Sequence, residues 1–355
     1  MPSASFMSDI RVVQLENSDL PKLGAAWDAY VEQHPEGTQY HQHAWPELIA
    51  RAFGHRPVFL LAFQDDKPAG VFPLVLMQSR LFGCFLVSLP FVNYGGLLAE
   101  SEEIEQALWK KAEDVARRSK ARHVEARHVR PRPFITQRKQ HKASMILSLA
   151  EDADAQWKAF DAKLRNQIRK AERSALTARL GGIDDIGGFY EVFAQNMRDL
   201  GTPVYSRGFF EEVLATFPGK ASVCSIMLDN RVVAAGIAMT YRDTMEMPWA
   251  SSLKEARPLC PNNLLYWAAI QHAIKLGLRN FDFGRSTPGE GTYNFKEQWG
   301  ARPLPLSWEY WTANSAELPD MSPKNPRYGM AIQAWKHLPL WLTKAVGPRI
   351  VRHIP

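Results

Sequence analysis

Apolar positions along this chain follow two periods, and the periods alternate. A period of two, or a short unbroken apolar run, marks strands at residues 11–15, 58–63, 70–77, 85–89, 123–129 and 144–149. Helical spacing falls between them. It runs over 18–33, where Leu20, Leu23, Trp27, Tyr30 and Val31 share a face, then over 45–53 and 102–120. The last of these has acids in its first turn and bases in its last, which complements the helix dipole. Gln64-Asp65-Asp66-Lys67-Pro68 reads as the hairpin turn between two of the strands.

The second half repeats the order. A helical pattern runs from Asp152 through Ala175 and is broken by Gly181-Gly182. Helices follow at 185–200 and 207–217, the second capped by Ser206. Strands at 221–228 and 232–241 are joined by Asp229-Asn230, and another covers 245–251. The segment 264–276 is apolar nearly all round and reads as a core helix. Hairpin, strand, helix, strand thus occurs twice, which predicts two copies of one fold.

The stretch after this helix organises the rest. A short strand places Arg279, Phe281 and Phe283 on one side and Asn280 and Asp282 on the other. It is expected to stop at Gly284-Arg285-Ser286, where glycine allows a sharp exit. A Pro-Gly-Glu-Gly loop leads to a helical segment, 293–299, in which Phe295 and Trp299 sit four apart. Gly300 is its expected C-cap and 304–311 a closing strand. This layout gathers Asp282, Arg285, Tyr293 and Lys296 around one place.

Composition narrows the class. The chain has 355 residues, 46% hydrophobic and 23% charged, an ordinary globular composition with room for two domains. No apolar run reaches the ~18–20 residues of a membrane-spanning helix. Residues 1–13 show no basic region followed by an apolar one, so no secretory signal is expected. Cys84, Cys224 and Cys260 lie far apart and read as reduced thiols of a cytoplasmic protein. No metal-ligand spacing is present, and His41 and His43 read as polar loop residues. Net charge is +6, and six bases without an acid lie beyond Met321, namely Lys324, Arg327, Lys336, Lys344, Arg349 and Arg352. A basic tail, not a globally basic nucleic-acid binder, is the reading.

Several stretches admit chemistry. Leu164, Ile168, Ala171 and Ala175 form one helical stripe, and Arg165, Asn166, Arg169, Lys170 and Arg173 fill the other side. That arc suits a phosphate-bearing substrate, or is a solvated face. Tyr94 precedes Gly95-Gly96, a turn that either admits a ligand to backbone amides or simply reverses the chain. The basic Arg130–Lys142 stretch either touches an acidic substrate or, the favoured reading, is a solvated connection. Trp335 and Trp341 among the tail's bases fit either a segment resting on anionic lipid or a helix docked on the body.

The runs FDFGRS…GTYNFKEQWGA, KLRNQIRKAERS and FGHRPVFLLAFQDDKPAGVFPLVL…NYGGLLAE, in this order, resemble the FemAB-like acyltransferases of the GNAT superfamily. Within that family the likeness is to the FemAB-related proteins of PEP-CTERM and exosortase exopolysaccharide systems. The resemblance implies an α/β (α+β) chain of tandem GNAT-like folds with mixed, mostly antiparallel sheets flanked by helices. It implies a first domain over 1–150, a second with the active site over 151–315, and a tail over 316–355.

The function implied is transfer of an acyl or aminoacyl group to a cell-envelope or exopolysaccharide-related precursor, a small molecule, glycan or peptide. Lys296, Asp282 and Tyr293 are the expected catalytic residues. Lys296 matches a lysine of the family's donor channel. Arg165, Asn166, Arg169, Lys170, Tyr94, Arg285 and Tyr205 are the expected substrate contacts. No bound cofactor is expected, and the donor is aminoacyl-tRNA or acyl-CoA. The glycines of a CoA-holding loop are missing before the core helix, in Lys254–Asn263, which weighs against CoA. Two other readings stay open: a CoA-dependent acetyltransferase of a small molecule, and a non-catalytic partner of polysaccharide assembly held peripherally at the inner membrane by 321–355.

Overall fold

The computed structural model describes residues 9–79, 83–313 and 329–354. The chain forms two compact units. One takes the chain up to Gln140 and again from Leu306. The other takes His141–Pro305 and the C-terminal helices.

The first unit opens with β1 (Ile10–Leu15), α1 (Leu20–Gln33) and α2 (Ala44–Phe53). The antiparallel strands β2 (Arg56–Gln64), β3 (Lys67–Ser79) and β4 (Gly83–Val87) follow. The short β5 (Leu98–Ala99) pairs with β3. Helix α3 (Glu102–Arg118) then leads to β6 (His123–His128), parallel to β4 at Leu86–Val124 and Val87–Glu125. The Ser101 hydroxyl accepts the amide of Ile104 and caps α3, and Ile104, Leu108, Ala112 and Val115 cover the sheet.

The second unit contains β7 (Gln137–Ser148) from His141 onward, α4 (Ala153–Ala159), α5 (Ala162–Arg173) and β8 (Thr177–Gly181). Helices α6 (Ile186–Leu200) and α7 (Arg207–Thr216) follow. Strands β9 (Ala221–Leu228), β10 (Arg231–Tyr241) and β11 (Thr244–Ser252) are antiparallel. Helix α8 (Pro261–Lys275) crosses to β12 (Asn280–Ser286), which is parallel to β11. Helix α9 (Gly291–Glu297) is next, and β13 (Arg302–Thr312) returns the chain to the first unit, where Ser307–Thr312 pair with β6. Helices α10 (Gly329–Lys336) and α11 (Leu340–Val351) pack on α6.

The two units repeat one order: a strand, two helices, three antiparallel strands, a helix and a parallel strand. The likeness reaches the turns. The β2–β3 hairpin turns through Asp65 and Asp66 at φ 49° and 61°, the β9–β10 hairpin through Asp229 and Asn230 at 47° and 63°. Both φ values positive is the two-residue turn that matches strand twist, and Asp and Asn tolerate it best after glycine.

The structure departs from the sequence reading in several places. The helix expected from Asp152 to Ala175 is two helices, because Asp161 leaves helical geometry and its carboxylate accepts the amide of Leu164 at 2.6 Å as a new N-cap. Ala175 lies beyond the second of them, with φ 57° and an exposed side chain, so the buried stripe is Leu164, Ile168 and Ala171. Strand β8 was not foreseen. Its TARLG sequence is mostly exposed, and an outer strand with few apolar residues gives little alternation. The connection expected up to Lys142 becomes strand at Gln137.

Candidate active site

Strands β11 and β12 pair only through Thr244–Asn280, Met245–Phe281 and Glu246–Asp282. Both continue, to Ser252 and Ser286. Each carries a bulge just past the last pair. On β11, Trp249 and Glu246 lie three residues apart opposite Ile237 and Met239, two apart on β10. The extra residue falls at Met247-Pro248, and proline, with no N–H to give a ladder, belongs at such a bulge. On β12, Asp282 and Arg285 face Ile146 and Ser144 of β7, and Gly284 sits in the extra turn at φ 74°. Gly284 therefore bends the strand without ending it, which corrects the expected exit. The carboxylate of Asp282 accepts the amide of Gly284 at 2.7 Å and the hydroxyl of Ser144 at 2.6 Å. Those bonds fix the bulge from inside, where Asp282 is 0% exposed.

Lys296, on α9, points into this bulge. Its Nζ donates to the carbonyls of Gly284 at 2.9 Å and Arg285 at 3.2 Å. An ammonium has three N–H bonds, so one remains for another acceptor. The side chain is 7% exposed. Burial lowers its pKa to about 8, while the carboxylates of Asp282 and Glu246 pull the other way and Arg285 adds to the lowering. Glu246, itself buried, is the residue that sequence reasoning missed. Its signal was a lone acid in the apolar strand TMEMPWASS. Ser144 was missed as well, because nothing local ties β7 to β12.

The other expected residues fall at several distances from this centre. Arg285 contributes its backbone carbonyl to Lys296. Tyr293 lies on α9 half-buried against the second unit's core, a packing position. Tyr205 joins an aromatic chain, with Phe209 at 5.3 Å and Phe209 in turn 5.4 Å from Trp249 on β11. Tyr94 belongs to the first unit, edge-on to Tyr40 at 5.2 Å and 9% exposed. Gly96 in the same turn has no room for a side chain, since a Cβ there would meet the His128 ring at 2.0 Å. The turn is thereby packed against His128, whose Nε2 accepts the amide of Leu97.

Helix α5 carries Asn166, Arg169 and Lys170 exposed and Arg165 half-buried. Arg169 lies over the Trp157 ring, 5.3 Å from its centroid. The Nε of Arg165 is buried with no hydrogen-bond partner among the described residues. Gln167 of the same helix accepts Asn263 Nδ2 at 3.2 Å, which ties α5 to the start of α8.

The start of α8 also tests a CoA donor. A diphosphate there would need free backbone amides. Pro261 has none, and the amides of Asn263 and Leu264 already bond the carbonyl of Cys260. The preceding turn, Lys254–Leu259, is wound as a 3₁₀ helix that contains Pro258 and no glycine. These residues do not make a diphosphate cradle.

Residues 159–297 match the family model of the acetyltransferase (GNAT) domain. This stretch is thus similar to a GNAT domain. Its span includes β11, β12, both bulges and Lys296. Acyl transfer is the chemistry of such a domain. The fold of the whole chain is likewise that of tandem GNAT proteins. A tandem GNAT protein from the clavulanic acid biosynthesis pathway covers 88% of this chain and all of its own, at TM-score 0.54 and 13% identity. FemX covers 91% and 100%, at TM-score 0.63 and 14% identity. L-PGS from Bacillus licheniformis covers 89% and 97%, at TM-score 0.56 and 12% identity. No curated protein matches the sequence. Among the described residues no helix is long and apolar enough to cross a membrane.

Proposed function

We propose that this protein is an N-acyltransferase that moves an aminoacyl group from its ester on tRNA to an amine of a cell-envelope or exopolysaccharide precursor. The observation that carries the reading is the Lys296 ammonium, buried at the mouth of the β11–β12 gap with one N–H left over. In the reaction the acceptor nitrogen attacks the ester carbonyl, whose oxygen gathers charge. The remaining N–H of Lys296 donates to that oxygen in a site shielded from water, where such a bond is strong. The C–O bond to the donor then breaks, the amide forms, and the amine's proton ends on the departing ribose hydroxyl. Asp282 accepts from Ser144 and Gly284, so its role is to position the bulge and to keep Lys296 charged. Glu246, at the open end of the last pair, is the carboxylate that takes the acceptor's proton on its way to the leaving group. The cationic face of α5 supplies phosphate contacts for the donor.

Acyl-CoA as donor is the second reading, favoured by the GNAT match and opposed by the occupied amides at Asn263 and Leu264. Thermal unfolding with each donor separates the two. A ligand at about 100 times its Kd stabilises the fold by about 2.7 kcal/mol. Stabilisation by aminoacyl-tRNA, with label transferred to an amine and lost in Lys296→Met, supports the first reading. Saturable stabilisation by acyl-CoA alone overturns it.

A further inference from the structure

Helix α11 is fixed by one face only. Thr343, Gly347 and Val351, four residues apart, are buried. Gly347 lies so close to the loop after α6 that a Cβ there would stand 2.9 Å from the Val204 nitrogen. Lys344 pairs with Glu191 of α6. Helix α10 is held in the same way, since a Cβ on Gly201 would meet Ile332 Cγ2 at 2.5 Å.

The opposite side is left to solvent. Trp341 is 71% exposed and Met330 88%. Arg349, two turns after Trp341, is exposed as well. Leu200, the last residue of α6 and neighbour to the Gly201 contact, is another exposed apolar side chain. Residues 329–354 hold four bases, Lys336, Lys344, Arg349 and Arg352, and no acid.

We propose that this face of α10 and α11 seats the protein on an anionic phospholipid surface. Lys344 neutralises Glu191, and the exposed Arg349 has no acid beside it within α10 or α11, so it is left to pair with a phosphate headgroup. The apolar side chains stand singly among the bases. A bilayer interface accepts single anchors of this kind, and tryptophan, apolar in body and polar at its N–H, prefers that depth. The docked face keeps the helices in place whether or not lipid is present, so the outer face is ready-made.

The test is co-sedimentation of the full chain with vesicles of phosphatidylcholine alone and of phosphatidylcholine with phosphatidylglycerol. Binding to the anionic vesicles only, lost in about 0.5 M salt, is expected. Trp341→Ala should weaken it about tenfold, the scale of withdrawing a large apolar side chain from burial. Arg349→Glu should weaken it at least about fivefold. Lys110→Glu, at an exposed position on α3, should change nothing. Brominated lipid should quench part of the tryptophan fluorescence in the parent chain and less in Trp341→Phe, which reports depth without relying on affinity. Equal binding to both vesicles, or unchanged binding in the Trp341 and Arg349 variants, overturns the proposal. So does a loss in those variants of tRNA affinity with vesicle binding intact. Lys296→Met should bind vesicles as the parent does, so the outcome is independent of the catalytic reading.

Discussion

The Nζ of Lys296 rests 2.9 Å from the carbonyl of Gly284, the residue whose positive φ makes the β12 bulge. A side-chain cation is thus held by backbone, and its protonation is coupled to the fold. Its pKa of about 8 lies below the 10.5 of an ordinary lysine. Between those values the unfolded chain binds more protons than the native one, so stability should rise with pH from about 8 toward 10. Below pH 8 both states are charged and the native state carries the whole cost, on the order of 3 kcal/mol for a shift of this size. Urea unfolding between pH 7.5 and 10 should show this slope in the parent and a flatter one in Lys296→Met. Equal slopes would mean that the amine is not desolvated.

Transfer activity should run the other way. In the proposed mechanism the ammonium donates to the developing oxyanion, so kcat should fall as pH passes through about 8. Lys296→Met should lower kcat by roughly 10²–10³, the scale of losing one such donor. Asp282→Asn removes a carboxylate that favours the charged amine, and the descending limb should move to lower pH. A pH–rate profile of the two variants checks both, and an unmoved limb in Asp282→Asn would break the link between them.

Gly284→Ala puts a Cβ on a residue at φ 74°. The left-handed strain alone should cost about 1–2 kcal/mol. Because the Gly284 amide and carbonyl bond Asp282 and Lys296, kcat should drop more than stability accounts for. Denaturant titration beside single-turnover transfer separates the two effects.

Reversing Arg169 and Lys170 together to Glu should raise KM for a tRNA donor tenfold or more and leave kcat near the parent's. The salt dependence of binding should lose a slope of about one to two, one for each phosphate contact removed. A change in kcat without a change in KM would place this face away from the donor.

In the first unit, burial drives the pKa of His41 down to about 3. Its Nδ1 accepts the Thr38 amide at 3.1 Å, so the neutral ring is the one that fits. The unfolded chain protonates below about 6.5 and the native one does not, so stability should fall as pH drops. From pH 6.5 to 5 this one residue should remove about 2 kcal/mol. His41→Gln should flatten the acid limb in a urea series.

Much of this was legible in order and little of it in depth. The repeated hairpin, strand, helix, strand came directly from alternation and from the Asp65-Asp66 and Asp229-Asn230 turns. Asp282 and Lys296 stood out because a strand end and an aromatic-lysine helix lay close in sequence. Glu246 and Ser144 did not, because they meet Lys296 and Asp282 only through strand pairing of high sequence separation. Gly284 stood out in the sequence as a strand exit and Pro248 did not stand out at all, because one residue cannot say whether a strand ends or bends. That depends on the partner strand, here Ser144–Ile146 of β7. Trp341 looked the same in sequence as the buried Trp335, and only the helix's seating on α6 tells them apart.

Pro248 and Gly284 are surplus residues in their ladders, one on each side of the gap. Removing either would restore even pairing and slide the strand end by one position. On β11 that would exchange the faces of Trp249 to Ser252, and on β12 those of Arg285 and Ser286. A substitution around the gap therefore leaves every other side chain on its own face, whereas a one-residue deletion there would turn the strand end inside out. Chain length at these two points, more than the identity of any neighbouring side chain, sets which way the strand ends face.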